Sequence, residues 1–505
     1  MKNSPAPREL ILVTKPNNAL RATEKGLVAV SAASPNSLQK LLAANGASVQ
    51  PVFDLSEDLL EHRISMVAAA PPQPPLQNLS RFYRVSARDS RLKTLAKKLR
   101  ADPNVERAYI KPGVELPLLD NGTTLPAAAL LPPVTPSLLQ HQVYLGPSPR
   151  GVNAKAAWEI PGGDGRGVRI IDVEGAWLFS HEDLRQNQGG VVGGQEHPDL
   201  FWRNHGTAVL GVFSGDRSNT SGTDVGITGI CPEANVRAVS VFRKSGQDLN
   251  NLSGVAAAIR QAADFLDSGD IMVVELQAPG PPNFEVREDQ QGYVPIEWWP
   301  DNFKAIDYAV KKGVIVVAAA GNGGLNLNDE IYDENPKPDF GPFPEDWSNP
   351  FRRRKVDSGS ILVGAGAPPL GFNHSDLGPD RSRLSQSNFW TSTNPEDVDL
   401  IDAQGWGAEV TTCGYGNLQK GKDEVRWYRI DFNGTSSATP MVAGALACVQ
   451  GILKKKKKPL LTPAAARALL RATGSPQQDA PDRPVTQKIG NRPDIMAMIT
   501  HLGLV

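Results

Sequence analysis

The 505-residue sequence predicts an α/β chain: a doubly wound, mostly parallel sheet preceded by a small α+β unit of the ferredoxin-like kind. Three observations predict it. Continuous β-branched or Ala-rich runs (RGVRIIDV, NVRAVSVF, DIMVVELQ, GVIVVAAA, SILVGAGA) recur after Gly151, as parallel strands buried on both faces require. Stretches with helical spacing, LSGVAAAIRQAADFLDSG and WPDNFKAIDYAVKKG, separate them. Before Pro112 the order is instead strand, helix, strand, strand, helix, strand, the pattern of a split βαβ.

The first unit, residues 1–112, takes its strands from ELILVTK, VQPVF, FYRVSA and VERAYIK. Its helices start near Ser37 and Arg91, where Leu and Ala recur at three- and four-residue spacing on one side. MVAAAPPQPPLQNLS reads as a loop by its prolines. Residues 113–150 are rich in Pro and small residues without periodicity, which predicts a linker. Residues 151–505 form the large α/β domain, and in such sheets functional groups gather beyond the carboxyl ends of the strands.

Bulk properties narrow the function. With 53 basic and 54 acidic residues, no global nucleic-acid binder is indicated. No stretch has the roughly 18 uninterrupted apolar residues of a membrane-spanning helix, so no membrane partner is expected. No signal peptide is visible at the N-terminus, an expectation of a cytoplasmic chain or of export without that mark. Cys231, Cys413 and Cys448 are few and odd in number, and read as buried small hydrophobes rather than a disulfide framework.

Four residues carry the chemistry. Asp172 stands at the end of the strand GVRIID, His205 opens HGTAV, Asn322 follows a buried strand in AAAGNG, and Ser436 lies in GTSSATP at a helix start. Singly, each has a plain structural reading: a cap or ion pair, a satisfied histidine, a turn, a helix cap. Around Ser436 the pattern says more, because Gly434 permits an unusual backbone angle and a helix N-terminus favours an oxyanion.

Together, in this chain order, IIDVEG, HGTAV, AAAGNG and GTSSATP resemble the subtilisin (subtilase) family of serine peptidases. The resemblance covers Gly151 to about Gly474. It implies an endopeptidase whose Ser436 attacks the scissile carbonyl, whose His205 moves the proton, whose Asp172 orients the imidazole and whose Asn322 helps hold the oxyanion. It places Glu275, Leu276 and Gln277, with Ala319, Ala320 and Gly321, along the substrate cleft. The first unit resembles the family's propeptide, which implies an intramolecular inhibitor and a zymogen cut within the linker; protein or peptide substrates are the other implied partners.

Three departures stand out. Glu275 and Gln277 replace small residues of the usual specificity strand. Long insertions follow it and Asn322, and both are expected to reshape the cleft rim. No cofactor is required for the chemistry, and structural calcium, known in relatives, finds no ordered ligand spacing here. Arg352 to Arg354 reads as a charged loop or a processing site, and Lys454 to Lys458 as a solvated helix end. A catalytically silent scaffold of the same fold is the alternative, and an esterase of the α/β-hydrolase type fails because its serine precedes acid and histidine.

Overall fold

The computed structural model describes residues 7–505 except 17–19, 24–25, 30–35, 69–78, 119–133, 218–225, 246–247, 282–283, 337–338, 370–376 and 395–396. The first unit is built on β1 (Glu9–Thr14), α1 (Asn36–Ala44), β2 (Ser48–Pro51), α2 (Glu57–Ala68), β3 (Phe82–Ser86), α3 (Leu92–Arg100) and β4 (Val105–Lys111). These strands form one antiparallel sheet in the order β2-β3-β1-β4. That is the predicted split βαβ, with α2 added, its last turn taking the first three residues of the segment read as a loop, of which 69–78 lie outside the described residues, and with a ribbon of Leu20–Thr23 and Gly26–Ala29 after β1.

Strand alternation divides this sheet's apolar residues between two cores. Leu10, Leu12, Tyr83, Val85, Ala108 and Ile110 pack with Leu38, Leu42, Leu95 and Leu99 of the unit's own helices. Ile11, Val13, Phe82 and Tyr109, on the other face, join the core of the large domain.

In the large domain a seven-stranded sheet combines β5 (Arg169–Glu174), β6 (Gln188–Gly193), β7 (Asn235–Ser240), β8 (Ile271–Val274), β11 (Ile315–Ala319), β12 (Ile361–Gly366) and β13 (Ala403–Trp406). Its order is β13-β12-β11-β8-β5-β7-β6, parallel at every pairing. A ribbon of β9 (Gln277–Pro279) and β10 (Tyr293–Pro295) stands beyond β8. Helices α4 (Leu200–Ser214) and α7 (Thr435–Lys455) pack together, as do α5 (Val255–Phe265) and α6 (Pro300–Lys311). Helix α7 is long and apolar enough to cross a membrane, yet that stretch is wholly buried among sheet and helices. The three cysteines are buried and free.

The first insertion brings Gln290 into the cleft, and both insertions also build a second surface. They supply Phe284, Trp298 and Trp299, and Phe340, Phe343 and Trp347, which pack as one aromatic bed, Phe284 stacked on Phe340 and the tryptophans and Phe343 edge to face. Tyr109 of β4 stands on it, with ring centroids 5.2 Å from Phe343. The amide of Ile110 donates to the Phe340 carbonyl at 2.8 Å, so the open edge of the small sheet is covered. Arg352 and Arg353 are spent on structure: the first binds Asp333 and Asn328, the second is buried against Asp402 at 2.8 Å.

One buried ion network fixes the two units together. Lys111, 1% exposed, lies 2.8 Å from Glu9 and also binds Asp301 and Asn302 at the start of α6. Tyr109 donates to Asp301 at 3.0 Å. Removing one member of such a buried network leaves charge uncompensated and costs about 3–5 kcal/mol. Lys111→Met is therefore expected to lower the melting temperature of the full chain and to expose the segment before Gly113 to trace protease; equal resistance in parent and variant would show that the network does not hold the interface.

Candidate active site

Strand β5 carries two carboxylates, Asp172 and Glu174, on one face because side chains repeat every second residue. Glu174, not Asp172, is the residue at the strand's carboxyl end. Asp172 sits deeper, fully buried, and its Oδ2 accepts from the indole Nε1 of Trp177 at 2.7 Å.

His205 lies in the second turn of α4, whose N-cap is Asp199, rather than at the helix start expected of HGTAV. Its Nδ1 is 3.0 Å from Oε2 of Glu174, and its ring meets Phe432 edge to face at 5.4 Å. The acid beside the imidazole is thus Glu174, in the place the sequence assigned to Asp172.

Ser436 is the second residue of α7, after Gly434 at φ 81°. Asn322 comes just beyond β11; its Oδ1 accepts from the amide of Thr435 at 3.0 Å and from its hydroxyl at 3.2 Å, which turns Nδ2 into the cleft. There Nδ2 donates to Gln290 at 3.1 Å. The pocket edge is completed by Gln277, whose Oε1 accepts from the Asn322 amide at 2.7 Å.

The cleft holds a segment of the chain itself. Glu115 and Gln277 form an antiparallel bridge, with N–H to O distances of 2.9 and 3.0 Å. The Leu116 carbonyl accepts from Gln290 at 2.8 Å, from Gln277 at 3.3 Å and from the Leu118 amide at 2.8 Å. That last bond closes a γ-turn at Pro117, whose ring presets the required φ. The Pro117 carbonyl oxygen accepts from the Ser436 amide at 3.4 Å. A methyl group on Gly434 would sit 2.1 Å from that oxygen and 2.8 Å from Asn322 Nδ2, so only glycine allows all three to meet. The start of the predicted linker is an extended strap; Thr135 to Pro149 packs on the large domain, and 119–133 lie outside the described residues.

Comparison with known proteins bears on this arrangement. A sequence model of the subtilase family (Peptidase S8) matches residues 172–491, most of the large domain. The chain belongs to the subtilase family. Among relatives, this subtilase is 26% identical to an extracellular protease of Xanthomonas campestris pv. campestris over 75% of its own length and 57% of that protein's. It is 29% identical to thermitase of Thermoactinomyces vulgaris over 35% of its length and 54% of that protein's. It therefore spans little more than half of either relative. The epidermin leader peptide processing serine protease of Staphylococcus aureus shares the fold with a TM-score of 0.53 at 17% identity, covering 98% of both chains. Fervidolysin of Fervidobacterium pennivorans does so at 0.51 and 17%, covering 99% of this chain and 62% of that one. The large domain is thus subtilisin-like.

Charge in the subtilase site is one-sided. Burial pushes the Asp172 carboxyl up to about 7, against the Trp177 hydrogen bond. Burial, then the charges of Asp172 and Glu275, push Glu174 well above the usual carboxylate range. Burial, then the nearby Arg429, holds His205 well below its ordinary value, hence neutral.

Of the other expected cleft residues, Gln277 does touch the strap. Glu275 is fully buried, and the Ser436 hydroxyl is among the groups that act on its charge. Leu276, Ala319 and Ala320 are buried in the core, and Gly321, at φ 90°, turns the chain toward Asn322. The sequence reading missed Glu174, Gln290 and the strap. For Glu174 a signal existed, since the alternation that places Asp172 inward places Glu174 beside it; Gln290, inside an insertion, has none.

One relative, from Trichormus variabilis, is described as a calcium-dependent protease. Among the described residues, His181, Asp183 and Cys413 are the acid, imidazole and thiol groups that converge as metal ligands would. They do not fit calcium, which takes about 6–8 oxygens. Oδ2 of Asp183 already accepts from the Ile227 amide and the Tyr428 hydroxyl, each at 2.7 Å, and His181 is bonded to the Trp427 carbonyl at 2.9 Å.

The geometry separates the two acids by substitution. Glu174→Gln should reduce kcat by about 10⁴-fold, the scale set by the acid-to-amide change in a serine peptidase triad. Asp172→Asn, whose amide oxygen still accepts from Trp177, should keep most activity. An acid raised by folding adds stability that is complete below its unfolded pKa near 3.8 and lost as pH rises through about 7. Asp172→Asn should accordingly flatten the fall in melting temperature over that window; a larger kcat loss at Asp172 than at Glu174 would reverse the assignment.

Proposed function

We propose that the chain is a serine endopeptidase made as an autoinhibited precursor, with Ser436 as nucleophile, His205 as general base, Glu174 as the orienting acid and the N-terminal unit as an intramolecular inhibitor. One observation carries the reading: a segment of the chain crosses the specificity strand in antiparallel register with a carbonyl oxygen against the nucleophile's own N–H. Protein or peptide backbone is the ligand this groove is built to take, because the contacts to Glu115, Leu116 and Pro117 are main-chain contacts.

In that reading Ser436 Oγ attacks the Pro117 carbonyl carbon while its proton passes to Nε2 of His205. Negative charge grows on the carbonyl oxygen, where the Ser436 amide and Asn322 Nδ2 converge at the N-terminus of α7. The carbon–nitrogen bond to Leu118 then breaks, the nitrogen leaving with the proton from His205. Water, activated by the same imidazole, hydrolyses the Pro117 ester of Ser436. Glu174, 3.0 Å from Nδ1, orients the imidazole.

Three measurements test this. A fluorophosphonate probe should label Ser436 in the processed protein and not in Ser436→Ala; an unlabelled processed protein would leave the silent-scaffold reading in its place. N-terminal sequencing of the processed large fragment should begin at Leu118, and a start elsewhere would mean that the strap is a pseudosubstrate rather than the bond cut. Asn322→Ala should slow processing on the order of 100- to 1,000-fold, a magnitude carried over from subtilisin.

A further inference from the structure

The strand that precedes β9 ends in a residue with no evident place among core or substrate contacts. Glu275 follows β8 directly, its amide reaching the Val173 carbonyl of β5 at 3.4 Å, so its side chain emerges beside those of Asp172 and Glu174. It is fully buried, and neither carboxyl oxygen has a hydrogen bond of ordinary geometry. The groups that act on its charge are Asp172 from β5 and the Ser436 hydroxyl from α7, with no cation among them. Ser436 Oγ and His205 Nε2 are likewise buried without a partner.

We propose that Glu275 is a further catalytic side chain of this peptidase: in its neutral form its carboxyl group donates to Ser436 Oγ and so leaves the serine's own proton free for His205. The inference rests on the proposed peptidase function. A buried carboxylate with no cation and no N–H donor costs several kcal/mol, so the proton stays on. The same desolvation and the charge of Asp172 push the group well above the usual carboxylate range. Once ionised, Glu275 would accept the Ser436 hydroxyl proton in competition with His205. It would also set a negative charge beside the forming oxyanion. No proton is consumed by Glu275 in a turnover; it orients the nucleophile and stays neutral.

The consequence is a descending alkaline limb that belongs to Glu275, separate from the ascending limb that belongs to His205. The groups facing these two side chains from every packed element are Asp172 and Glu174 of β5, Ser436 of α7 and Arg429 near the imidazole. The experiment measures the rate of fluorophosphonate labelling from pH 5 to pH 10 on processed protein, with variant chains cut by added wild-type enzyme. The wild-type rate should fall about tenfold per pH unit above the titration of Glu275. Glu275→Gln, which fixes the neutral shape, should keep the ascending limb and lose the descending one. Should that variant not fold, Glu275→Ser removes the carboxyl group and is read in the same way. A descending limb unchanged in the variant, or absent from wild type, overturns the role of Glu275 while leaving the peptidase standing. Absence of Ser436 labelling at every pH sinks the peptidase reading itself.

Discussion

Close approach of backbone to backbone is the constraint on which this molecule turns. His205 reaches Glu174 because the next residue, Gly206, lets α4 press on the loop after β5: a methyl there would lie 2.3 Å from the Ala176 carbonyl oxygen. Ser436 meets the strap because Gly434 leaves room for the Pro117 oxygen. Neither contact could be recovered by a small shift of a flexible side chain, since the obstructing atoms are main chain. The sheet is thus a frame whose carboxyl ends supply acids, and two helices are pressed onto it closely enough to bring a base and a nucleophile to those acids.

That frame concentrates negative charge. Asp172, Glu174 and Glu275 emerge from two adjacent parallel strands, and only Glu174 has an imidazole opposite. Placed in register, such side chains repel one another across about 5 Å of strand spacing in a medium that screens poorly. The arrangement is tolerable when protons are shared among them and when indole, imidazole and hydroxyl groups each take one carboxyl. A Ser-Leu-Gly type of specificity strand would bury no such group, so Glu275 changes the electrostatics around the nucleophile.

Much of this was legible in residues. Parallel strands announced themselves as uninterrupted apolar runs, and the split βαβ as strand and helix periods in a fixed order. The nucleophile's helix and the Asn-Gly turn were legible because glycine and small residues cluster only where backbones crowd. That Glu174 rather than Asp172 stands nearest the imidazole has a physical reason. Alternation fixes which face a strand residue occupies but not how far along the strand the imidazole will arrive, and Trp177, which claims Asp172, folds back from five residues on. The strap was hidden because extended chain bound to an edge has no periodicity of its own; its pairing partner, β9, lies far away in sequence.

If the chain is the precursor proposed above, the insertions would help to hold it shut. The strap contributes main-chain hydrogen bonds that any extended peptide can replace, so alone it would be exchanged for substrate. What holds it is tethering at Lys111, two residues before the strap begins, where β4 is pinned to α6 and laid on aromatic rings that only the insertions provide. Tethering raises the effective concentration of the strap in the cleft without a single added contact there. After cleavage at Pro117 the strap would still be delivered by the docked unit, as a bound product. In that proposed precursor, opening the cleft would require the buried Lys111, Glu9 and Asp301 network to separate, an event remote from Ser436 and governed by the stability of the small domain.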